Sequence, residues 1–242
     1  MITTSIITYN RLKLTKYMID SYSATVPKNE ELLVVDNNSI DGTREWLIQK
    51  RDDGIINNLI LNDRNYGLGY AANQGMRLAN KGSEYVSKFD NDFFFENGWY
   101  ENFLSIKNTM NPEVILVSTL YPGQTYEKTD IICNNNARFL ERKGKELGAC
   151  FYIKRAFQTS NNLWMEERPF TKNYIGPNYK FFLNIRSKNG KILRIIEPWV
   201  SRKYEMYSDP EHEEYYKEVF GARGILNKLQ DRIAAESRGE PT

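Results

Sequence analysis

The chain has 242 residues, 40% of them hydrophobic and 26% charged, so it can bury a sizeable core and is not disordered by composition. Lysine and arginine total 33 against 31 for aspartate and glutamate, and the formal charge of +2 argues against a dedicated nucleic-acid binder. The single histidine, His212, argues against a zinc site or a Ser-His-Asp triad.

Strand and helix patterns alternate in the first part of the chain. The predicted elements are strands at 5–9, 31–36, 59–61 and 85–89, and helices at 12–23, from about 44, and at 70–79. Such alternation is typical of a parallel sheet covered by helices. We therefore expect an α/β fold with a mostly parallel central sheet.

The second part of the chain is less regular. The predicted elements are strands at 114–118, 147–153 and 191–196, helices at 155–159 and 179–187, and a polar loop at 121–136. After residue 205 the chain is charged, with apolar residues at roughly helical spacing, which predicts a C-terminal helical extension at 206–242.

Polar residues follow each of the first four predicted strands. They are Thr8, Asn10, Asp36, Asn38, Asn62, Asn65, Asp90 and Asp92. Ligands of open α/β sheets bind at the carboxyl ends of the strands. The sequence therefore predicts a ligand site at this edge.

The Asp90-Asn91-Asp92 motif is the sharpest chemical signal. Two carboxylates one residue apart can both reach Mg²⁺ or Mn²⁺, which would bridge the protein to the phosphates of a nucleotide. An acidic turn is the simpler interpretation of the motif alone. Its position between an apolar strand and Phe93-Phe94-Phe95 favours the metal.

Two further segments suggest nucleotide binding. Asp36 can accept a hydrogen bond from the imide N–H of uracil or thymine, whereas residues 41–43 are explained by a turn and a helix cap. The glycines of residues 62–75 would let a ligand approach the backbone at the start of a helix, which favours phosphate. A simple loop is the alternative for that segment.

In this order, the segments resemble the inverting GT-A glycosyltransferases of family 2. The matching segments are 8–11, 34–43, 65–75, 90–92 and 148–155, and the third is similar to the rhamnosyltransferase-type branch. The resemblance covers about residues 1–205. It implies a Rossmann-like GT-A domain with a nucleotide-binding half at 1–100 and an acceptor half at 101–205.

The resemblance also implies roles for individual residues. The nucleotide would lie near Thr8, Tyr9, Asn10 and Arg11. Its base would be held by Asp36 with support from Asn38, and its ribose and diphosphate would lie in a pocket shaped by Asn65, Gly67 and Asn73. The metal and the donor would be bound by Asp90, Asn91 and Asp92.

The usual acidic pair that supplies the general base is missing, because its place falls on Gly176-Pro177-Asn178. Three alternatives remain: Glu166 or Glu167 replaces it, Asp92 reaches the acceptor, or the mechanism needs no such base. We predict Glu167, and the alternative for 166–167 is a solvated pair before a proline turn.

The later part of the resemblance also departs from the family. In place of a late histidine stand Arg202 and Lys203, which would neutralise the leaving diphosphate or are ordinary surface charges. Trp164 and Tyr174 would line an acceptor cleft by stacking on sugar, or belong to the core.

The resemblance implies an inverting glycosyltransferase that uses a UDP- or dTDP-sugar with Mn²⁺ or Mg²⁺, acting on a glycan or another hydroxyl acceptor. One alternative is a sugar nucleotidyltransferase, which would want a glycine-rich loop where residues 9–13 have no glycine. The others are a non-catalytic GT-A descendant that binds nucleotide or carbohydrate, and a glycosyltransferase acting on a modified nucleobase in DNA.

The expected location is cytoplasmic. No apolar run approaches the roughly 18 residues of a membrane helix, and the first residues lack the basic start of a secretory signal. Cys133 and Cys150 form no metal-like or redox-like pair, which favours a reducing compartment.

Overall fold

Strands and helices alternate from the first residues onward in a computed structural model, which describes residues 1–117, 131–134, 137–141, 150–167, 177–196 and 200–201. The first elements are β1 (Ile2–Thr8), α1 (Leu12–Thr25), β2 (Glu31–Asp36), α2 (Thr43–Asp52), β3 (Asn58–Leu61), α3 (Leu68–Leu78) and β4 (Tyr85–Asp90). Each was predicted, and the bounds differ from prediction by at most a few residues.

The later elements agree less well with the prediction. They are β5 (Phe94–Phe95), α4 (Trp99–Met110), β6 (Val114–Leu116), β7 (Ile131–Asn134), β8 (Ala137–Glu141), β9 (Phe151–Lys154), α5 (Arg155–Ser160), α6 (Pro177–Ser187), β10 (Ile192–Ile195) and β11 (Val200–Ser201). The prediction of a polar loop across 121–136 was wrong at β7, because its partner β8 lies directly after it and closes an antiparallel pair. Helix α4 and strand β8 were not predicted.

Among the described residues, nine strands form one sheet in the order β3-β2-β1-β4-β9-β6-β10-β8-β7. The first four are parallel, as predicted, whereas β9 runs antiparallel to both β4 and β6. In this register Thr8 lies opposite Asp36, and Ile7 lies opposite Asp90. The carboxyl ends of β1, β2 and β4 therefore meet at one edge.

Helices cover both faces of the sheet. Small residues of α3, including Ala71 and Ala72, pack on Leu33 and Val35 of β2. On the other face, Trp99 of α4 contacts an aromatic cluster that includes Tyr152 of β9. Both faces are buried, which explains why β1, β2 and β4 read as continuous buried runs.

A set of buried polar side chains lies at the amino ends of the same strands, and we call it the amino-end network. Its members are Thr3, Glu30, Glu31 and Tyr100. Glu30 accepts hydrogen bonds from the Ile2 amide and the Tyr100 hydroxyl, both at 2.5 Å. Glu31 accepts hydrogen bonds from the Thr3 hydroxyl and from two further donors, the Asn80 amide and the Asn58 side chain. These carboxylates are satisfied entirely within the fold.

The predicted extension at 206–242 and the domain boundary at 205 lie outside the described residues. None of the described helices is both long and apolar enough to cross a membrane.

Candidate active site

Asp36 ends β2 at the carboxyl edge and is fully buried. Its Oδ1 accepts a hydrogen bond from the Thr8 hydroxyl at 2.9 Å, and its Oδ2 accepts one from the Ser39 amide at 3.1 Å. Arg44 Nη1 lies 3.8 Å from Oδ2. These contacts fix the carboxylate at the point where the two strands end.

Arg44, on α2, connects Asp36 to the neighbouring loops. The same Nη1 donates to Asn38 Oδ1 at 3.1 Å and to the Asn62 carbonyl at 2.8 Å. The sequence analysis did not single out this arginine, because only the fold brings α2 against the strand ends. Arg44 supplies a positive charge beside the buried carboxylate.

The two loops that follow β1 and β2 are hydrogen-bonded to each other, and both contain residues in an unusual backbone conformation. Asn10, Arg11 and Asn38 have φ values of 53°, 66° and 66°, in the left-handed region that side chains other than glycine rarely adopt. The Asn10 amide donates to Ser39 Oγ at 2.8 Å, and the Ile40 amide donates to Asn10 Oδ1 at 2.9 Å. Such strain is typical of functional sites.

Asp41 also joins these loops through hydrogen bonds at the start of α1. It accepts hydrogen bonds from the Leu12 amide at 3.0 Å and from the Thr43 amide at 3.1 Å. Although partial burial opposes ionisation, these bonds and the one from the Thr43 hydroxyl lower the pKa of Asp41 below its usual value.

The Asp90-Asn91-Asp92 motif lies beside these loops, and each of its acids pairs with a cation. Lys88 Nζ donates to Asp90 Oδ1 at 2.6 Å, and Arg11 Nη1 lies 3.3 Å from Asp92 Oδ2. Asn91 accepts a hydrogen bond from Arg11 and donates to the Asn10 carbonyl. Arg11 therefore joins the first strand-end loop to the acidic motif.

Two carboxylates with hard oxygen donors fit Mg²⁺ or Mn²⁺, because Mg²⁺ is often held by only one or two carboxylates together with substrate phosphates. In the contacts described above, each acid gives one oxygen to its cation. Within the described ranges, no group of three or more His, Cys, Asp or Glu side chains could hold a metal alone. Asp90 and Asp92 would supply two of the oxygen ligands of such an ion, with substrate phosphates as further ligands.

Two glycines of the segment 62–75 lie against other parts of the same chain. A Cβ added at Gly69 would lie 2.0 Å from the carbonyl oxygen of Glu166, and one added at Gly75 would lie 1.9 Å from Ser5 Oγ. Gly69 and Gly75 therefore allow helix α3 to approach other parts of the same chain. The predicted approach of a ligand to the backbone of this segment stays a prediction.

Asn73 lies on the same helix and is buried. Its Nδ2 donates to the Met165 carbonyl at 2.9 Å, and its Oδ1 accepts from the Met165 amide at 2.9 Å. A single side chain thus makes both hydrogen bonds that a neighbouring strand would make. Its predicted contact with the ribose and diphosphate stays a prediction, and Asn65 and Gly67 lie in the loop before α3.

The two candidate bases follow that docked segment. Glu167 Oε1 accepts from Asn73 Nδ2 at 2.7 Å and from Arg77 Nη2 at 3.1 Å. Arg77 also lies over the Trp164 ring, 4.8 Å from its centroid. Glu166 pairs instead with Lys180 Nζ at 3.0 Å. Glu166 and Glu167 thus have separate cationic partners.

The remaining predicted site residues divide into two groups. Tyr9 is partly exposed at the edge, and Trp164 is partly buried beside α3. Tyr174, Arg202, Lys203 and His212 lie outside the described residues. The partners that were not predicted are Lys88, Ser39, Arg44 and Arg77. The one sequence signal for them is a lysine inside the buried strand β4.

Comparisons with known proteins agree with this fold. The family model described as "Glycosyl transferase family 2" matches residues 4–196. A search of curated protein sequences finds no match.

Among solved structures, TarS of S. aureus is similar, with a TM-score of 0.64 and 16% identity over 85% of this chain and 38% of that chain. The chain thus spans well under half the length of TarS. A TarS 1–349 structure in complex with UDP-GlcNAc has a TM-score of 0.65 and 17% identity, covering 94% of this chain and 66% of that one. The mannosyltransferase PcManGT from Pyrobaculum calidifontis, in complex with GDP-Man and Mn²⁺, has a TM-score of 0.61 and 12% identity, covering 100% and 76%. At these identities the likeness shows the fold, and the predicted GT-A fold is confirmed.

Proposed function

The chain belongs to glycosyl transferase family 2, and from this premise we propose that it transfers a sugar from a UDP- or dTDP-sugar to an acceptor hydroxyl. The similar structures were solved with donors of two kinds, UDP-GlcNAc and GDP-Man, so the choice of base has to come from this chain's own residues.

The observation that carries the proposal is the meeting of Asp36 with the acidic motif at one sheet edge. Asp36 lies opposite Thr8 in the register, and Asp90 lies opposite Ile7, so one strand separates the two acids. A nucleotide lying across this edge would present its base to Asp36 and its diphosphate to Asp90 and Asp92. The imide N–H of uracil or thymine is a donor whose hydrogen bond a carboxylate would accept.

Asp90 and Asp92 would hold a divalent cation in the proposed reaction, with Asn91 and Arg11 maintaining their arrangement. A bound cation supplies positive charge that offsets the negative charge developing on the leaving diphosphate. The predicted clamp of Arg202 and Lys203 remains part of the proposal.

Glu167 is the proposed general base, and Glu166 and Asp92 are the alternatives. The acceptor oxygen forms a bond to the anomeric carbon while the bond from that carbon to the donor phosphate oxygen breaks. The hydroxyl proton passes to the carboxylate, and the nucleoside diphosphate leaves with the bonding electrons. Attack from the side opposite the leaving group inverts the anomeric configuration. The partly exposed Glu167, held through one oxygen by Asn73 and Arg77, supports this assignment.

One observation favours a second candidate function, a non-catalytic descendant that binds nucleotide or carbohydrate. Glu166 and Glu167 each give a carboxylate oxygen to a cation, which leaves that oxygen less available to take the proton of an acceptor hydroxyl. Such a protein would bind donor without consuming it.

Nucleotide binding and donor hydrolysis together test the proposal. Thermal shifts with UDP, dTDP, GDP and ADP should show the largest stabilisation for a pyrimidine diphosphate, about 2.7 kcal/mol at a hundredfold excess over Kd. Release of UDP from UDP-sugars should stop with EDTA and return with Mn²⁺. A preference for ADP, or no shift, would refute the donor assignment. Binding without hydrolysis or transfer would favour the non-catalytic alternative.

A further inference from the structure

Lys88 is the only lysine of the described residues whose side chain is completely buried. It lies near the end of the central strand β4, two residues before Asp90. Removing an ammonium group from water costs several kcal/mol, and lysines are almost never fully buried unless they are paired. The placement of this charge therefore calls for a physical reason.

Its partner is the first acid of the motif. The Lys88 ammonium donates to Asp90 Oδ1 at 2.6 Å, and the two side chains share a face of the strand because they are two residues apart. The Lys88 side chain is 0% exposed, whereas that of Asp90 is 20% exposed. The ammonium thus holds the carboxylate from inside the protein, while the carboxylate itself reaches the edge.

Stability alone does not require this pair. Well-packed apolar residues often replace a buried ion pair with no loss of stability, and β4 itself contributes buried apolar residues such as Val86 and Phe89 near Lys88. A charge-assisted hydrogen bond does, however, fix one oxygen of a carboxylate and so sets the direction of the other.

Resting on the function proposed above, we propose that Lys88 is a positioning residue of the donor site. It acts through Asp90 by holding one oxygen of the carboxylate, which orients the group toward the divalent cation that would accompany the diphosphate of a nucleoside-diphosphate donor. The base and ribose lie toward Asp36 in the proposed pose, so they do not depend on Lys88.

This assignment predicts a selective loss of affinity, which isothermal titration with UDP and with uridine measures. Lys88→Met should raise the Kd for UDP about tenfold or more and leave that for uridine unchanged, because the loss of a charge-assisted bond is felt at the diphosphate end. The matched control is Lys107→Met. Lys107 pairs with Glu84 at the same 2.6 Å distance, beside the opposite end of β4. This control should change neither affinity.

Asp90→Asn separates positioning from direct contact. If Lys88 acts through Asp90, adding Lys88→Met to Asp90→Asn should weaken UDP binding no further than Asp90→Asn alone. Should Lys88→Met fail to fold, Lys88→Gln, which keeps a donor without the charge, should show a smaller UDP-selective loss.

Three outcomes would overturn the inference: an unchanged UDP affinity in Lys88→Met, an equal loss for UDP and uridine, or additive losses in the double variant. All three leave the proposed function intact, because the wild-type chain still binds UDP. If the wild-type chain binds no pyrimidine diphosphate, the proposed function fails, and this inference is overturned with it.

Discussion

Acidic side chains lie at both ends of strands β1, β2 and β4, and their partners differ between the two ends. At the amino end, Glu30 and Glu31 are surrounded by hydroxyl and amide donors of the fold. At the carboxyl end, Asp36, Asp90 and Asp92 each have a nearby arginine or lysine. In the contacts described above, the acids of the amino end have neutral donors alone, whereas each acid of the carboxyl end has a cation nearby, in addition to neutral donors at Asp36.

The difference indicates what each end is for. Neutral donors satisfy a carboxylate permanently and rigidly, which suits a structural network. Cations beside a carboxylate can also attract an anionic ligand, and the loops of that end hold Asn10, Arg11 and Asn38 in the left-handed region. We therefore expect changes at the amino end to lower stability and changes at the carboxyl end to lower binding or turnover.

The largest expected effect tests the carboxyl end. Glu167→Gln should lower kcat by about 10²–10⁴, because an amide cannot take the proton of the acceptor hydroxyl. The free energy of unfolding and the UDP affinity should hardly change, since the Glu167 side chain is 36% exposed. Steady-state transfer assays, urea unfolding and titration with UDP measure the three quantities.

Glu166→Gln is the matched control for that change and should have a smaller effect on kcat. Near-full turnover in both variants would place the base elsewhere. Retention of anomeric configuration in the product would exclude the inverting mechanism itself.

At the amino end the expected effect is on folding. Glu31→Leu should destabilise the protein by about 3 kcal/mol, because it leaves the donors of Thr3 and Asn80 without their shared acceptor. UDP affinity should be unchanged. Urea unfolding compared with Glu45→Leu, a change at an exposed position of α2, measures the loss. A weakened UDP affinity in a folded Glu31→Leu variant would contradict the division between the two ends.

Alkaline pH tests the amino end without mutation. Burial raises the pKa of Tyr22, Tyr85, Tyr100 and Tyr152, and the hydrogen bond with Glu30 adds to the effect at Tyr100. Tyrosines of the unfolded chain ionise near pH 10, whereas these buried ones ionise only at higher pH. Their contribution to the free energy of unfolding is therefore fully present below about pH 10. It is lost as the pH rises above that value, by up to about 1.4 kcal/mol per pH unit for each tyrosine.

Unfolding free energies measured by urea between about pH 8 and pH 11 should show this decline, and Tyr22→Phe should make it less steep. A stability that does not change up to about pH 11 would show that these hydroxyls ionise as easily in the folded chain as in the unfolded one.

The smallest expected effect compares two asparagines in the left-handed region. Asn38 (φ 66°) accepts a hydrogen bond from Arg44, and Asn111 (φ 43°), at the end of α4, accepts one from Lys154. Alanine at either position should cost about 1 kcal/mol of stability. Only Asn38→Ala should also weaken UDP binding, by a few-fold, because it releases Arg44. Equal UDP affinity in the two variants would argue against a role for the strained loop in binding.

Local patterns were sufficient to predict the first half of the fold. The bounds of β2 and the start of α1 agree with the prediction, because each is set by apolar spacing and nearby turn residues. The meeting of polar strand ends at one edge followed from parallel pairing alone. Helix α4 was missed, because its aromatic residues at 99, 100 and 103 lie in a cluster whose partners come from distant strands.

The partners of the site residues could not be predicted in the same way. Asn73 and Met165 are 92 positions apart, and no spacing rule links them. The glycines at 69 and 75 looked like a ligand loop, since the sequence does not show whether a ligand or another part of the chain occupies the space beside a glycine. The pairing of Lys88 with Asp90 was within local reach, but an isolated lysine in a strand has several ordinary explanations.

The docking of residues 165–167 on α3 has a practical consequence for engineering. Recombining the first half of one family member with the second half of another is one way to seek new product linkages. Such a chimaera would take Gly69 and Asn73 from one parent and residues 165–167, which they contact in the fold, from the other. We expect functional chimaeras to inherit helix α3 and residues 163–167 from the same parent, so the units of exchange are set by this contact and not by the order of the chain.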